Sequence, residues 1–250
     1  MIKEAVVLAA GLSIRMRGFT NLPKQVLKVL DKPLIYYPLT ALVLNGVKKV
    51  YVVVNEVTYG PIREILSGVP IDIEYVINDK PDRDNGYSVI LGGSYVKGNY
   101  FYLAMSDHIF SIDIPKVLTR YVGIADLVVG ADSKPKFIDI EEATKILVKD
   151  GNVVRVGKGL SEFTHIDIGI FIMNKKVVNY FRECSEVKYV IKLADLINYS
   201  ITKGVKAVVA DVEGRFWFDI DTREDLEKVR SELRDYVENV KSFMNYLVKA

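Results

Sequence analysis

From Lys3 to Phe110 the chain switches repeatedly between two kinds of apolar segment, and that switching leaves few folds open. "KEAVVLAA" is an unbroken, β-branched run that stops at Gly11. "KKVYVVVNE", "IDIEYVIN" and the start of "NYFYLAMSDHIF" repeat it. Runs without polar alternation belong to strands buried on both faces, as in parallel sheets. Between them lie helical segments: "KPLIYYPLTALVLNG", with Pro33 near its start, Pro38 inside it and Gly46 as its stop; "YGPIREILSG", with Gly68 just past its end; and "YSVILGGSYVKG". The crossovers are long enough for βαβ units. The expected fold is therefore α/β, a doubly wound, mostly parallel, Rossmann-like sheet. Such sheets bind ligands beyond the carboxyl ends of their strands.

After Val122 the pattern changes. "ADLVVGA", "ATKILVKDGNVVRVG" and "THIDIGIFIMN" are strands with few helices between them, and Asp150-Gly151 is a hairpin turn. Mixed or antiparallel additions to the sheet follow. No glycine- or serine-rich linker divides the halves 1–122 and 123–222, so one domain over 1–250 is expected. The segment from Arg223 to Val248 reads as one long helix with the stripe Leu226, Val229, Leu233, Tyr236, Val237, Val240, Phe243, Met244 and Leu247. Three seats are open to that stripe: the protein's own core, a homodimer seam, or a membrane surface. Acidic Glu232, Asp235 and Glu238 beside Arg230, Arg234 and Lys241 make the membrane the poorest of them.

Composition removes several functions. A net charge of +2 over 250 residues gives no nucleic-acid footprint. Cys184 is the single cysteine, which rules out an internal disulfide and suits a reducing cytoplasm. His108 and His165 are the two histidines, too few for a zinc site without carboxylates. The first apolar run is too short for a signal peptide, and no run is long enough to span a membrane. Gln25 is the one glutamine in a chain rich in Lys, Glu, Val and Ile, a thermophile-like bias.

"LAAGLSIRMRGFTNLPKQVLKVL", Leu8 to Leu30, follows the first strand directly. Ala9, Ala10 and Gly11 let a ligand approach the main chain, whose successive N–H groups can form an anion nest. Arg15 adds a forked donor and Lys24 a point charge. A tight turn followed by a solvated basic loop would be spelled the same way.

With "LPKQVLKVLDKPLIYY", this stretch resembles the signature of nucleotidyltransferases that couple a nucleoside triphosphate to a phosphorylated sugar, polyol or alcohol; Ser13 stands where that pattern has its second glycine. "NDKPDRDNGYS", "MSDHIFS", "KFIDIEEATKILVKDGNVVRVGK", "THIDIGIF" and "FWFDIDTREDL" resemble most the CTP:inositol-1-phosphate cytidylyltransferases, from about Glu4 to about Glu232. The resemblance implies the nucleotide-diphospho-sugar transferase fold, with a nucleotide-binding half at 1–122, an acceptor-binding half at 123–222 and a C-terminal helix at 223–250. It implies transfer of a cytidylyl group from CTP to a phosphorylated polyol, inositol 1-phosphate, by a stand-alone enzyme upstream of a membrane synthase. Leu8, Ala9, Ala10, Gly11, Leu12, Arg15 and Lys24 would hold the triphosphate. Asn78, Asn85, Gly86 and Ser88 would face the base, although Asn85-Gly86 is also an ordinary turn. Mg²⁺ would sit on Asp107 and Asp221, with Asp219 as the alternative ligand; Asp221 with Glu224 also spells a capping box. Among the catalytic residues Arg15, Lys24 and Lys145, Lys145 would take the acceptor phosphate. Asp139 and Asp167 would take its hydroxyls, with solvent exposure as the plain alternative for all three. Another phosphorylated acceptor, such as a sugar 1-phosphate or phosphocholine, or an inactive nucleotide-binding subunit, is the competing reading.

Overall fold

A computed structural model describes residues 1–16 and 18–247. Its first half follows the alternation in the sequence. Strands β1 (Glu4–Leu8), β4 (Lys49–Val54), β5 (Asp72–Ile77) and β6 (Tyr100–Met105) alternate with helices α1 (Tyr36–Leu44), α2 (Glu56–Leu66) and α3 (Asn85–Tyr95); a short ribbon, β2 (Lys28–Val29) with β3 (Lys32–Pro33), precedes α1. Pro38 is accommodated because it lies in the first turn of α1, where its missing N–H has no intrahelical partner to lose. The pairs β1–β4, β1–β6 and β4–β5 are all parallel. Strand β1 is thus central, and its end lies beside the end of β6.

In the second half, β8 (Leu127–Asp132), the hairpin β9 (Lys145–Lys149) and β10 (Asn152–Gly157), β11 (His165–Asn174) and β12 (Ala207–Asp211) join the same sheet. Strand β11 pairs antiparallel with β6, β8 and β9, whereas β12 pairs parallel with β8. The result is one nine-stranded sheet, parallel through the first half and mixed in the second, with the path β10-β9-β11-β6-β1-β4-β5 and β12 and β8 branching from β11. Asp150 and Gly151 turn the hairpin with φ of 50° and 74°, both left-handed as a two-residue turn requires. Off the sheet, β7 (His108–Phe110) pairs with β13 (Trp217–Asp219). Helix α4 (Ile114–Leu118) precedes β8, and α5 (Val177–Val187) and α6 (Leu193–Thr202) follow β11. The sequence pattern underweights this last pair.

Alternation along the buried strands sorts their side chains to two cores. Ala5, Val7, Val50, Val52, Val54, Tyr102 and Ala104 face one side, with α1 and the C-terminal helices. Val6, Leu8, Tyr51, Val53, Phe101 and Leu103 face the other, with α3, α5 and α6.

The C-terminal segment is not one long helix. Helix α7 (Arg223–Arg230) stops, and α8 (Arg234–Ser242) starts after a three-residue break. Ser231 makes the break: its hydroxyl donates to the Glu227 carbonyl at 2.9 Å, competing with the helical ladder, and its backbone leaves the helical region at ψ −83°. The stripe still turns inward. Leu226, Val229, Leu233, Val237, Val240, Met244 and Leu247 all enter the core, so the first of the three seats is the one taken. Tyr236 and Phe243 do not follow, at 47% and 38% exposure. Val248, the last residue expected in this helix, lies outside the described residues.

Candidate active site

The loop after β1 is gripped from several directions. Ala9 is not part of an anion nest: its N–H extends the sheet to the Val53 carbonyl at 2.8 Å. The loop proper begins at Ala10, whose carbonyl accepts the Asn55 Nδ2–H at 2.8 Å. Asn55 is also the N-cap of α2, accepting from the Val57 and Thr58 N–H groups at 2.9 and 2.8 Å. One side chain therefore starts a helix and fixes the loop. Among the described residues the N–H groups of Ala10, Gly11 and Leu12 make no hydrogen bond, and all three residues line one cleft. Ser13 adopts the left-handed φ of 50° that a glycine would take without strain, and its hydroxyl accepts the Lys24 N–H at 3.2 Å. The serine thus ties the loop to the Pro23-Lys24 pair.

Next comes the charge. Strand β6 ends one residue before Ser106, and Asp107 stands beside the end of β1. Asp221 follows β13, at the entry to α7. It is not the cap of that helix: Thr222 caps it and forms the capping box with Asp225. Asp221 is left available, and Lys24 joins it to Asp107. The Lys24 Nζ lies 2.6 Å from Asp107 Oδ2 and 2.5 Å from Asp221 Oδ1. Arg15 Nη2 reaches the other oxygen of Asp221 at 2.5 Å, while His108 Nδ1 lies 2.7 Å from Asp107 Oδ1. Burial of Lys24 would lower its pKa, but the two carboxylates outweigh it and hold the ammonium above its ordinary value. Burial would likewise raise Asp107, yet Lys24 and His108 hold it well below the usual carboxylate range. His108 is pushed up to about 9 against its own burial, chiefly by the hydrogen bond to Asp107.

Behind His108 lies a second acidic layer. Burial raises Asp167 to about 6, the Gly169 N–H and His108 opposing; the Gly169 N–H donates to Asp167 at 2.9 Å. Burial also raises Asp219, with Asp221 and Asp107 adding to it and His108 opposing. Gly169 makes room for this arrangement: its φ is +74°, and a Cβ there would sit 2.5 Å from the His108 ring. Asp219 ends β13 and does not alternate with Asp221 along a strand, because the strand stops between them.

The cleft, about 490 Å³, is lined by the loop from Ala10 to Arg15, by Lys24, Asp107 and Asp221, and by the segment around Pro81–Ser88. Sequence reasoning missed Gln25 in it. This side chain is 1% exposed, lines the cleft, and its Oε1 has no hydrogen-bond partner among the described residues. A buried amide oxygen without a protein partner is open to a donor from water or a ligand. The signal was there: it is the chain's one glutamine, directly after Lys24.

The residues expected to face the base divide. Asn85 and Ser88 line the cleft; Asn78 and Gly86 do not. Asn78 is buried beneath, donating to the Ser88 hydroxyl at 2.9 Å and accepting the Lys80 N–H. Gly86 instead receives the segment before α6. Its N–H donates to the Ile191 carbonyl at 2.9 Å, and a Cβ would collide with that oxygen at 2.5 Å. Asn85 Oδ1 accepts the Leu193 N–H at 2.8 Å. Arg83 completes the clamp, donating to the carbonyls of Tyr189 and Ser185, both at 3.0 Å, between the rings of Tyr87 and Tyr189.

On the acceptor side the expectations fare unevenly. Asp167 lies within electrostatic reach of His108 and Asp219 but does not line the cleft. Lys145 is buried on β9, over the Phe163 ring and 3.7 Å from Glu141, and does not line the cleft. Asp139 is not on the polar face of a strand; it lies in an exposed loop and accepts the Glu141 N–H at 2.9 Å.

The acidic pair has the donor chemistry of a divalent-cation site. Asp107 Oδ2 and Asp221 Oδ1 converge on a single cationic atom, Lys24 Nζ, at 2.6 and 2.5 Å. Two convergent carboxylate oxygens suit a hard dication that takes its remaining ligands from water and phosphate. No group of three or more His, Cys, Asp or Glu residues forms a protein-only cage among the described residues. No helix there is long and apolar enough to cross a membrane.

Residues 4–236 match the nucleotidyl transferase family model. The chain is 35% identical over 229 residues to a bifunctional IPC transferase and DIPP synthase of Thermococcus kodakarensis, covering 91% of this chain and 50% of that protein. A protein of the same name from Aquifex aeolicus is 31% identical over 234 residues, 93% of this chain and 52% of its own. The chain thus spans about half the length of the curated relatives it matches. The solved structure of the inositol-1-phosphate CTP transferase from T. maritima superposes with a TM-score of 0.86 at 28% identity, covering 96% of both chains.

Proposed function

The chain belongs to the nucleotidyl transferase family, and from that premise we propose that it transfers the cytidylyl group of CTP to inositol 1-phosphate, giving CDP-inositol and pyrophosphate. The observation that carries this reading is the Lys24 ammonium shared by Asp107 and Asp221 at the mouth of the β1 loop. It is supported by the full-length likeness to a structure described as an inositol-1-phosphate CTP transferase.

The chemistry needs no general base. An acceptor phosphomonoester has its second pKa near ~6, so its attacking oxygen is already anionic at neutral pH. The obstacle is repulsion between two polyanions, which cations and positioning remove. The N–H groups of Ala10, Gly11 and Leu12 bind phosphate oxygens, and the exposed Arg15 fork closes over them. Lys24 leaves its carboxylates to meet charge developing at the α-phosphorus. Gln25 Oε1 accepts from the nucleoside. Asp107 and Asp221 would hold Mg²⁺, which, when bound, screens the phosphates and polarises the α-phosphorus. His108 keeps Asp107 oriented. Asp167 accepts acceptor hydroxyls, and Lys145, one strand over, waits on the acceptor phosphate. The relatives' names pair this activity with a DIPP synthase, and we propose that the product feeds a synthase of that kind.

A pyrophosphate-release assay with CTP, Mg²⁺ and a panel of inositol 1-phosphate, glucose 1-phosphate and phosphocholine tests the reading. Turnover is expected with inositol 1-phosphate and is expected to fall by about a hundredfold or more in Asp107→Asn, because one charge is lost from the cation site. Faster turnover with another acceptor, or none with any, overturns it.

A further inference from the structure

One wall of the cleft is formed by Pro81, Asp82, Asp84, Asn85 and Ser88. Each of its other polar side chains makes one bond to a separate segment. Asp82 accepts the Tyr189 hydroxyl at 2.8 Å, Asn85 Oδ1 accepts the Leu193 N–H, and the Ser88 hydroxyl accepts from Asn78. Asp84 differs. Its Oδ1 takes only the neighbouring Asn85 N–H at 2.6 Å, and its Oδ2 has no partner among the described residues. Its backbone sits at φ 68° and ψ −177°, a region that side-chain-bearing residues leave to glycine. The flanking residues hold it there: Arg83 is bound to the carbonyls of Ser185 and Tyr189, and Gly86 to that of Ile191. Asp84 is therefore a carboxylate on a held backbone at the cleft wall, in the same cleft as Gln25 Oε1, which has no partner among the described residues.

An ionised carboxylate only accepts hydrogen bonds. It favours a ligand edge that carries an N–H donor and opposes one that presents an oxygen. Cytosine has an exocyclic amine where uracil has a carbonyl, and carboxylates pair with that amine in other settings. We propose that Asp84 is the specificity-determining residue for the base, accepting the cytosine amino group and rejecting uracil by placing two acceptors face to face. The proposal deepens the CTP reading above and rests on it.

Asp84→Gly is the first test, because glycine adopts this backbone freely and the clamp survives. CTP and UTP binding are measured by calorimetry, and turnover of each with inositol 1-phosphate by pyrophosphate release. Wild type is expected to prefer CTP. Asp84→Gly is expected to lose ~10- to 100-fold in CTP affinity, the worth of a hydrogen bond to a charged group, with UTP affinity unchanged or raised. Asp84→Asn, whose amide can turn its NH₂ outward, is expected to shift the ratio further towards UTP. Melting temperature and circular dichroism check folding of both variants. A CTP:UTP ratio unchanged within about twofold in a folded Asp84→Gly overturns the proposal, as does a wild type that binds UTP more tightly. An Asp84-dependent preference for CTP, with no turnover of inositol 1-phosphate, sustains this inference and overturns only the acceptor.

Discussion

Lys24→Met tests whether the ammonium occupies the seat of a cation. Lys24 is 7% exposed and is the one side chain among the described residues that bridges Asp107 and Asp221. Methionine keeps most of its volume and removes its charge. Breaking a buried ion pair by deleting one partner costs about 3–5 kcal/mol. Here the lower end applies, because each carboxylate retains a second partner, His108 or Arg15, and their side chains are 20% and 21% exposed. A loss of about 3 kcal/mol lowers the melting temperature of a chain this size by roughly 6–12 °C. The informative comparison is scanning calorimetry in EDTA against excess MgCl₂. In EDTA the variant should melt low. With Mg²⁺ it should recover half or more of the loss, since a dication now sits between two carboxylates with nothing to displace. Wild type should gain less, because the ion must first expel Lys24. Equal gains in both proteins, or a variant melting within about 1 °C of wild type in EDTA, would refute the reasoning.

Four further outcomes are expected. Asp167 has a folded pKa near 6, above its unfolded value; it binds its proton more tightly when folded, so its contribution to stability falls as pH rises from ~4 to ~6 and stays unfavourable above. Asp167→Asn should therefore flatten the denaturant-midpoint profile in that window and be more stable than wild type at pH 7, by ~1–3 kcal/mol. Gly169→Ala should lose ~2–4 kcal/mol in urea unfolding, because its φ is positive and its methyl enters the His108 ring. Gln25→Leu should fold at least as stably as wild type, having shed an unpartnered buried amide, while calorimetric CTP affinity drops ~10-fold. Truncation after Arg234 should lower the melting temperature strongly, since Val237, Val240, Met244 and Leu247 are buried, while the remaining folded fraction keeps its specific turnover.

The parts legible in the sequence were those written in local pattern. The buried strands of the first half followed from unbroken apolar runs and the hairpin from its Asp150-Gly151 turn, whereas Asp107 and Asp221 were legible only through the family resemblance. What escaped was decided by contacts distant in sequence. Asn85 and Gly86 spell a turn, but the residues that occupy them, Ile191 and Leu193, lie about a hundred positions away. Asp139 alternates with apolar neighbours like a strand residue, yet no partner strand reaches it. The end of α7 was hidden because its apolar period continues through the break; only Ser231 marks it. Asn55 escaped because it does two jobs at once, and only one of them, the cap, leaves a trace in the local sequence.

The clamp on the 81–88 segment also bears on the order in which the chain acquires its parts. Strands β1, β4, β5 and β6 and their crossovers form a parallel core from residues near one another in sequence. The groups that hold Arg83, Asn85 and Gly86 come from Ser185 to Leu193, after β11 has crossed back antiparallel to β6. During synthesis the loop that closes the cleft must wait for those residues, so the β1 loop, Lys24 and Asp107 are in place before the 81–88 wall is held, and Asp221 joins them last. Contacts of such sequence separation form late and slowly. A nascent or truncated chain ending before Ser185 would accordingly carry the β1 loop, Lys24 and Asp107 beside an 81–88 wall that nothing yet holds.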